Sequence, residues 1–253
     1  MTDLSGKVAL ITGAGQGVGQ GIAFALSAAG ASIVLAGRTL EKVQKTADEI
    51  AQRGGKAIAV ACNVKSADDL ASAVETAVKE LGGLDILVNN AQEVPLGKLD
   101  DVTDAAFVAG FESGPLATMR LMKLARPHMQ ARGGGTIFNF ASSAGIRWDM
   151  SGYGAYGAVK QATRALTRAA AAEYGPDNIR VLTIAPHAES PGLKGWFAAN
   201  PEEAAAFFRT IPLGRIGRLE EDIGRAIVAL CGPDMDYLTG ATIPLDGGQA
   251  NFD

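Results

Sequence analysis

Short apolar runs alternate with stretches of helical periodicity along the chain, and this alternation restricts the fold more than any other feature. The runs are 7–12, 31–36, 56–61, 84–89, 136–140, 179–185 and 241–245. Helical stretches fall between them at 18–29, 40–53, 67–81 and about 103–131, the last interrupted by Gly114-Pro115. A further helix carries Tyr156 and Lys160. Strands joined through helices lie parallel, and continuous apolar runs suit strands covered on both faces. The expectation is an α/β fold, a doubly wound parallel sheet with helices on both faces. At 253 residues, with no repeat or long linker, one domain over 1–253 is expected.

Composition narrows the function. An apolar fraction of 47% supplies a core, and 20% charged residues suit a hydrated surface. A net charge of −4 and a pI near 5.3 speak against nucleic acid as a partner. Cys62 and Cys231 are far apart and form no CxxC, so two reduced thiols and a cytoplasmic location are expected. The opening MTDLSGKVALITG reads as a first strand rather than a signal peptide. No run approaches the roughly 18 apolar residues of a membrane span. With two histidines, His128 and His187, a histidine-rich metal site is not expected.

Gly13, Gly15, Gly17 and Gly19 lie between the first strand and the first helix. Glycines there permit a tight turn and let backbone N–H groups approach a pyrophosphate at the helix N-terminus. The spacing is GxxxGxG over Gly13, Gly17 and Gly19, not GxGxxG. Further along, Tyr156 and Lys160 stand four apart, one turn of helix, with Ser143 thirteen residues before Tyr156 at the end of an apolar run. A hydroxyl, a phenol and an ammonium brought together can hold a carbonyl oxygen and deliver a proton to it.

Ser143, Tyr156 and Lys160, taken with residues 12–19 and Asp246-Gly247-Gly248, resemble the classical short-chain dehydrogenase/reductases over essentially the whole chain. The resemblance implies a Rossmann-type fold and an oxidoreductase acting on CH–OH and C=O groups. It makes Tyr156 the proton donor in ketone reduction and the base in alcohol oxidation. Lys160, with the positively charged nicotinamide ring in the oxidised complex, would lower the Tyr156 pKa; Lys160 would also hold the nicotinamide ribose, and Ser143 would donate to the substrate oxygen. Cofactor contacts carried over are Gly13, Gln16, Gly17, Val18, Gly19, Arg38, Asn63, Val64 and Asn90, together with Tyr156 and Lys160. The family's acidic position after the second strand is Gly37, followed by Arg38. A carboxylate would repel a 2′-phosphate and an arginine can pair with one, so NADP(H) is expected over NAD(H), although Gln16 adds no second positive charge.

Three positions depart from the family pattern. Gly114 stands where an Asn commonly extends the proton relay, Gln92 replaces the glycine after Asn89-Asn90-Ala91, and His187 replaces the glycine after the sixth strand. The stretch 187–211 reads as a lid over the substrate, with Trp196, Phe197, Phe207 and Phe208. Substrate contacts are expected at Gln92, Trp148, His187 and Trp196, with an apolar or aromatic carbonyl, or the matching alcohol, as the small-molecule partner. A fatty-acid-type 3-oxoacyl reductase and a catalytically weakened cofactor-binding scaffold are the alternatives. The family further implies a homotetramer, with a homodimer as the smaller assembly; neither membrane nor nucleic acid is expected as a partner.

Overall fold

The computed structural model describes residues 2–146 and 151–250. Seven parallel strands form one sheet: β1 (Val8–Thr12), β2 (Ser32–Gly37), β3 (Ala57–Ala61), β4 (Ile86–Asn89), β5 (Gly135–Phe140), β6 (Ile179–Pro186) and β7 (Thr242–Leu245). Their spatial order is β3-β2-β1-β4-β5-β6-β7. The register pairs Leu10 with Val34 on one side and Leu87 on the other. Connections from β1 run one way across the sheet and those from β4 run the other. Between these two strands the loops part, and a crevice opens at their carboxyl ends.

Helices cover both faces. Ile22 and Leu26 of α1 (Gly17–Ala28) pack with Ile11, Ile33, Leu35 and Phe138 on one face. On the other, Leu70 of α3 (Ala67–Leu81) and Leu121 of α5 (Ala117–Ala131) pack with Leu10, Leu87 and Ile137. Each of these side chains is withdrawn from water, an effect worth roughly 1.5–3 kcal/mol per residue. The amphipathic α2 (Leu40–Gln52) buries Val43, Ala47 and Ile50 and leaves its charged face outside.

Local chemistry sets the ends of α3. The Ser66 hydroxyl accepts from the Asp69 N–H at 3.2 Å, and Gly82 closes the helix in the left-handed region at φ +87°. The expected long helix at 103–131 is α4 (Asp104–Phe111) continuing into α5 through a wide π turn at Glu112–Leu116. Pro115 has no N–H to donate, and the wider turn carries the chain past it without ending the helix. The helix bearing Tyr156 and Lys160 is α6 (Gly154–Tyr174). The stretch 187–211 folds into α7 (Pro191–Ala199) and α8 (Pro201–Phe208).

One element has no counterpart in the sequence reading. A π turn at Leu219–Gly224 leads into α9 (Arg225–Leu230), which packs against α1. The approach is close enough that a Cβ on Gly224 would lie 2.6 Å from the Gly21 carbonyl oxygen. Among the described residues no helix is long and apolar enough to cross a membrane.

Candidate active site

The crevice is a cleft of about 1070 Å³ running over the ends of β1, β2, β4 and β5. Its floor starts at the glycine turn. Gly13 and Gly17 take φ of +69° and +60°, conformations that side chains disfavour. A Cβ on Gly19 would meet the Gly13 carbonyl oxygen at 2.5 Å and Asn90 Nδ2 at 2.7 Å. Gly19 therefore lets α1 close down on the turn. Gln16 precedes α1 without capping it through its side chain, and the first turn of α1 holds no acidic residue. The first N–H groups of α1 are thus left for an anion, as a dinucleotide pyrophosphate requires. The residues present fit such a cofactor.

Asn90 braces this turn as well as lining the cleft. Its Nδ2 donates to the Thr12 carbonyl at 2.9 Å, and its backbone N–H donates to Thr12 Oγ1 at 3.0 Å. The sequence reading met Thr12 only as the first residue of the glycine motif, because its hydroxyl acts on a loop 78 residues away. Gln16, Gly17 and Val18 line the same end. Lys42 Nζ lies 3.2 Å from Gln16 Oε1 and supplies a positive charge beside a residue that has none.

Gly37, Arg38, Asn63 and Val64 line the far end of the cleft. Asn63 Oδ1 accepts from the Lys65 N–H at 3.2 Å, so its oxygen helps to shape its own loop. Arg38 pairs with Glu93 at 2.9 Å, and Lys65 pairs with the same carboxylate oxygen at 3.1 Å. Neither Lys65 nor Glu93 belongs to a local motif.

At the opposite end, Tyr156, Lys160, Ser142 and Ser143 meet at the tip of β5. Gln161 Nε2 donates to the Gly145 carbonyl at 2.6 Å, which ties the serine loop to α6. Lys160 is 4% exposed and donates from Nζ to the Phe140 carbonyl at 2.6 Å. Burial lowers its pKa from the usual lysine value to about 7. Nζ sits 5.5 Å from the centre of the Tyr156 ring.

The Tyr156 phenol is shifted upward in the protein alone. Burial pushes its pKa up to about 12, against a smaller lowering by a hydrogen bond with Ser142. In the protein alone, desolvation of the phenolate outweighs the rest, whereas the expected lowering concerns the complex with the positively charged nicotinamide ring. The Ser142 hydroxyl also accepts from the Ala144 N–H at 3.2 Å. Ser143 stands beside it in the cleft.

Two of the three departures from the family pattern are one packing unit. A Cβ on Gly114 would lie 2.8 Å from Gln92 Nε2 and 3.0 Å from Val159 Cγ1. The Gln92 carboxamide thus fills the space that the missing side chain leaves, and its Nε2 is buried without a hydrogen-bond partner among the described residues. His187, the third departure, is held by its backbone. Its N–H donates to the Leu245 carbonyl at 2.9 Å, and its ring meets Phe207 edge-on at 5.1 Å. Trp196 packs near Phe207 at 6.0 Å and lines the cleft with His187. Trp148 lies outside the described residues.

The architecture and the site agree with comparisons to known proteins. A family model described as enoyl-(acyl carrier protein) reductase matches residues 13–250. A 12α-hydroxysteroid dehydrogenase from Clostridium sp. is 38% identical, with 96% of each chain covered. The 7α-hydroxysteroid dehydrogenase of Escherichia coli K12 is 35% identical over 97% of this chain and 94% of its own. A solved 7α-hydroxysteroid dehydrogenase complexed with NADH and 7-oxo glycochenodeoxycholic acid superposes with a TM-score of 0.92 at 34% identity, covering 98% of this chain and 96% of that one. A solved structure from Beutenbergia cavernae with bound NADP has a TM-score of 0.89 at 32% identity, covering 98% of each chain. The chain belongs to the classical short-chain dehydrogenase/reductase family.

Proposed function

We propose that this protein is an NADP(H)-dependent oxidoreductase that interconverts a ketone and a secondary alcohol on an apolar carbonyl substrate. The observation that carries the proposal is the pairing of Tyr156 with the buried Lys160 at the end of a cleft whose floor is the glycine turn. A bound nicotinamide ring supplies or accepts the hydride. Tyr156 gives its proton to the developing alkoxide in reduction and takes it back in oxidation. Ser143 donates to the substrate oxygen, and Ser142 orients the Tyr156 hydroxyl. Lys160, poised near pH 7, presents a charge beside the phenol and holds the nicotinamide ribose.

Support for the cofactor preference comes from Arg38, from Gly37 in place of an acid, and from Lys42 at Gln16. Support for the substrate class comes from the volume of the cleft and from the aromatic ring cluster of Trp196, Phe197 and Phe207. The relatives named for hydroxysteroids direct attention to rigid alicyclic ketones within that class. We read 1–253 as one catalytic domain of a cytoplasmic enzyme. The exposed Phe107, Val108 and Phe111 of α4, with Leu96 and Leu99 nearby in sequence, suit assembly into a homodimer or homotetramer.

The test is NADPH oxidation with aliphatic, aromatic, steroid-like and 3-oxoacyl ketones, run beside Tyr156→Phe. Turnover on an alicyclic ketone that falls about 10²–10⁴-fold in the variant is expected. Binding of NADPH without turnover on any ketone would contradict the proposal and favour a scaffold role.

A further inference from the structure

The adenosine end of the cleft holds an anion of its own. Loops following β2, β3 and β4 bring Arg38, Lys65 and Glu93 together, and both cations converge on Glu93 Oε1, at 2.9 and 3.1 Å. The anion and one cation are anchored from behind. The Glu93 N–H donates to Ser113 Oγ at 2.9 Å, and that hydroxyl donates to the Ala109 carbonyl at 2.7 Å. The Lys65 carbonyl accepts from Arg120 at 3.1 Å. Arg38 is the most exposed member, with 65% of its side chain open to solvent.

We propose that Glu93 is an internal counter-anion that competes with a cofactor 2′-phosphate for Arg38 and Lys65, and so sets how strongly the protein prefers the phosphorylated cofactor. The proposal rests on the NADP(H) reading above. Two cations against one carboxylate leave one positive charge in excess. A phosphomonoester carries about −1.5 to −2 at neutral pH and offers three acceptor oxygens, so it can draw the guanidinium away from a single carboxylate. A ribose 2′-hydroxyl carries no charge and cannot replace Glu93. The carboxylate therefore taxes the binding of every phosphorylated cofactor molecule by the strength of one exposed ion pair. It also keeps the cations neutralised when no phosphate is present. Nothing local in the sequence marks Glu93 for this work, because its partners lie 55 and 28 positions earlier.

The test is calorimetric titration of 2′,5′-ADP and of 5′-ADP into the full-length wild type and Glu93→Gln, a change that keeps shape and removes charge. The variant is expected to bind 2′,5′-ADP about two- to fivefold more tightly, in line with an exposed pair. Its affinity for 5′-ADP, which also reports correct folding, should change by a smaller factor. Unchanged affinity for 2′,5′-ADP, or equal shifts for both nucleotides, would overturn the proposal. A wild type blind to the 2′-phosphate beside a variant that discriminates would refute the NADP(H) preference and support the role of Glu93. A wild type that discriminates beside a variant that does so equally would refute the role of Glu93 and leave the preference standing.

Discussion

The two ends of the cleft use charge in opposite ways. At the tip of β5, Lys160 is 4% exposed, fixed on one carbonyl oxygen, and shifted by burial to about pH 7. At the tips of β2, β3 and β4, the charges of Arg38, Lys65 and Glu93 lie at the surface and pair with one another. The buried end spends folding free energy on an ammonium held near a proton-transfer threshold. The outer end is held by pairs worth little individually, which a ligand can exchange. On the proposed function, one groove would thus separate chemistry from selection.

The comparison breaks most visibly at the buried end. Lys160→Met should lower kcat/KM by about 10²–10⁴-fold in the ketone assay. Retention of near-normal turnover would mean that the lysine is only a packed side chain.

A stability measurement sharpens the same point. Because folding lowers the Lys160 pKa from the ordinary lysine value of 10.5 to about 7, the unfolded chain binds a proton that the folded chain has shed across this interval. Stability should therefore rise with pH above about 7, by no more than about 1.4 kcal/mol per pH unit from this one group. Tyr156 acts in the other sense, since its raised pKa removes stability only as pH climbs from about 10 towards 12. Urea midpoints between about pH 7 and 9, compared with those of Lys160→Met, isolate the lysine contribution. Parallel curves for the two proteins would contradict it.

A smaller effect is expected beneath the site. Gly114→Ala should cost about 1–3 kcal/mol through overpacking against Gln92 and Val159. The same change made in Gln92→Gly should cost less, and chemical denaturation of the four proteins measures the coupling. Full additivity would show that the two departures are independent. Smallest of all, the preference for NADPH over NADH should fade as salt rises from about 0.05 to 0.5 M while kcat at saturating cofactor holds. A preference indifferent to salt would place its origin away from the exposed cations.

How far the sequence could be read follows the same division between local and distant causes. The helix Ala67–Leu81 was legible to the residue, because Ser66 and Gly82 mark its ends. The glycine turn and the Tyr156–Lys160 pair were legible because their spacing survives folding unchanged. The helical segment over 219–230 was not: its closeness to α1 depends on Gly21 and Gly224, about 200 positions apart, and neither is distinctive alone. Gln92 and Gly114 were each visible as departures, yet their contact was not, since it depends on how the loop after β4 meets the π turn at Glu112–Leu116. The raised pKa of Tyr156 was hidden for a related reason. Spacing places a cation near a phenol, whereas burial of the phenol is a property of the finished fold.

The central claim is direct hydride transfer at the carbon whose oxygen faces Tyr156. The measurement that tests it most directly is mass spectrometry of the alcohol formed from the best ketone, with NADPH deuterated separately on each face of C4. The account predicts deuterium at the carbinol carbon from one of the two labelled cofactors, and loss of that product in Tyr156→Phe. Alcohol formed with no deuterium from either cofactor, or formed equally well by the variant, would contradict it.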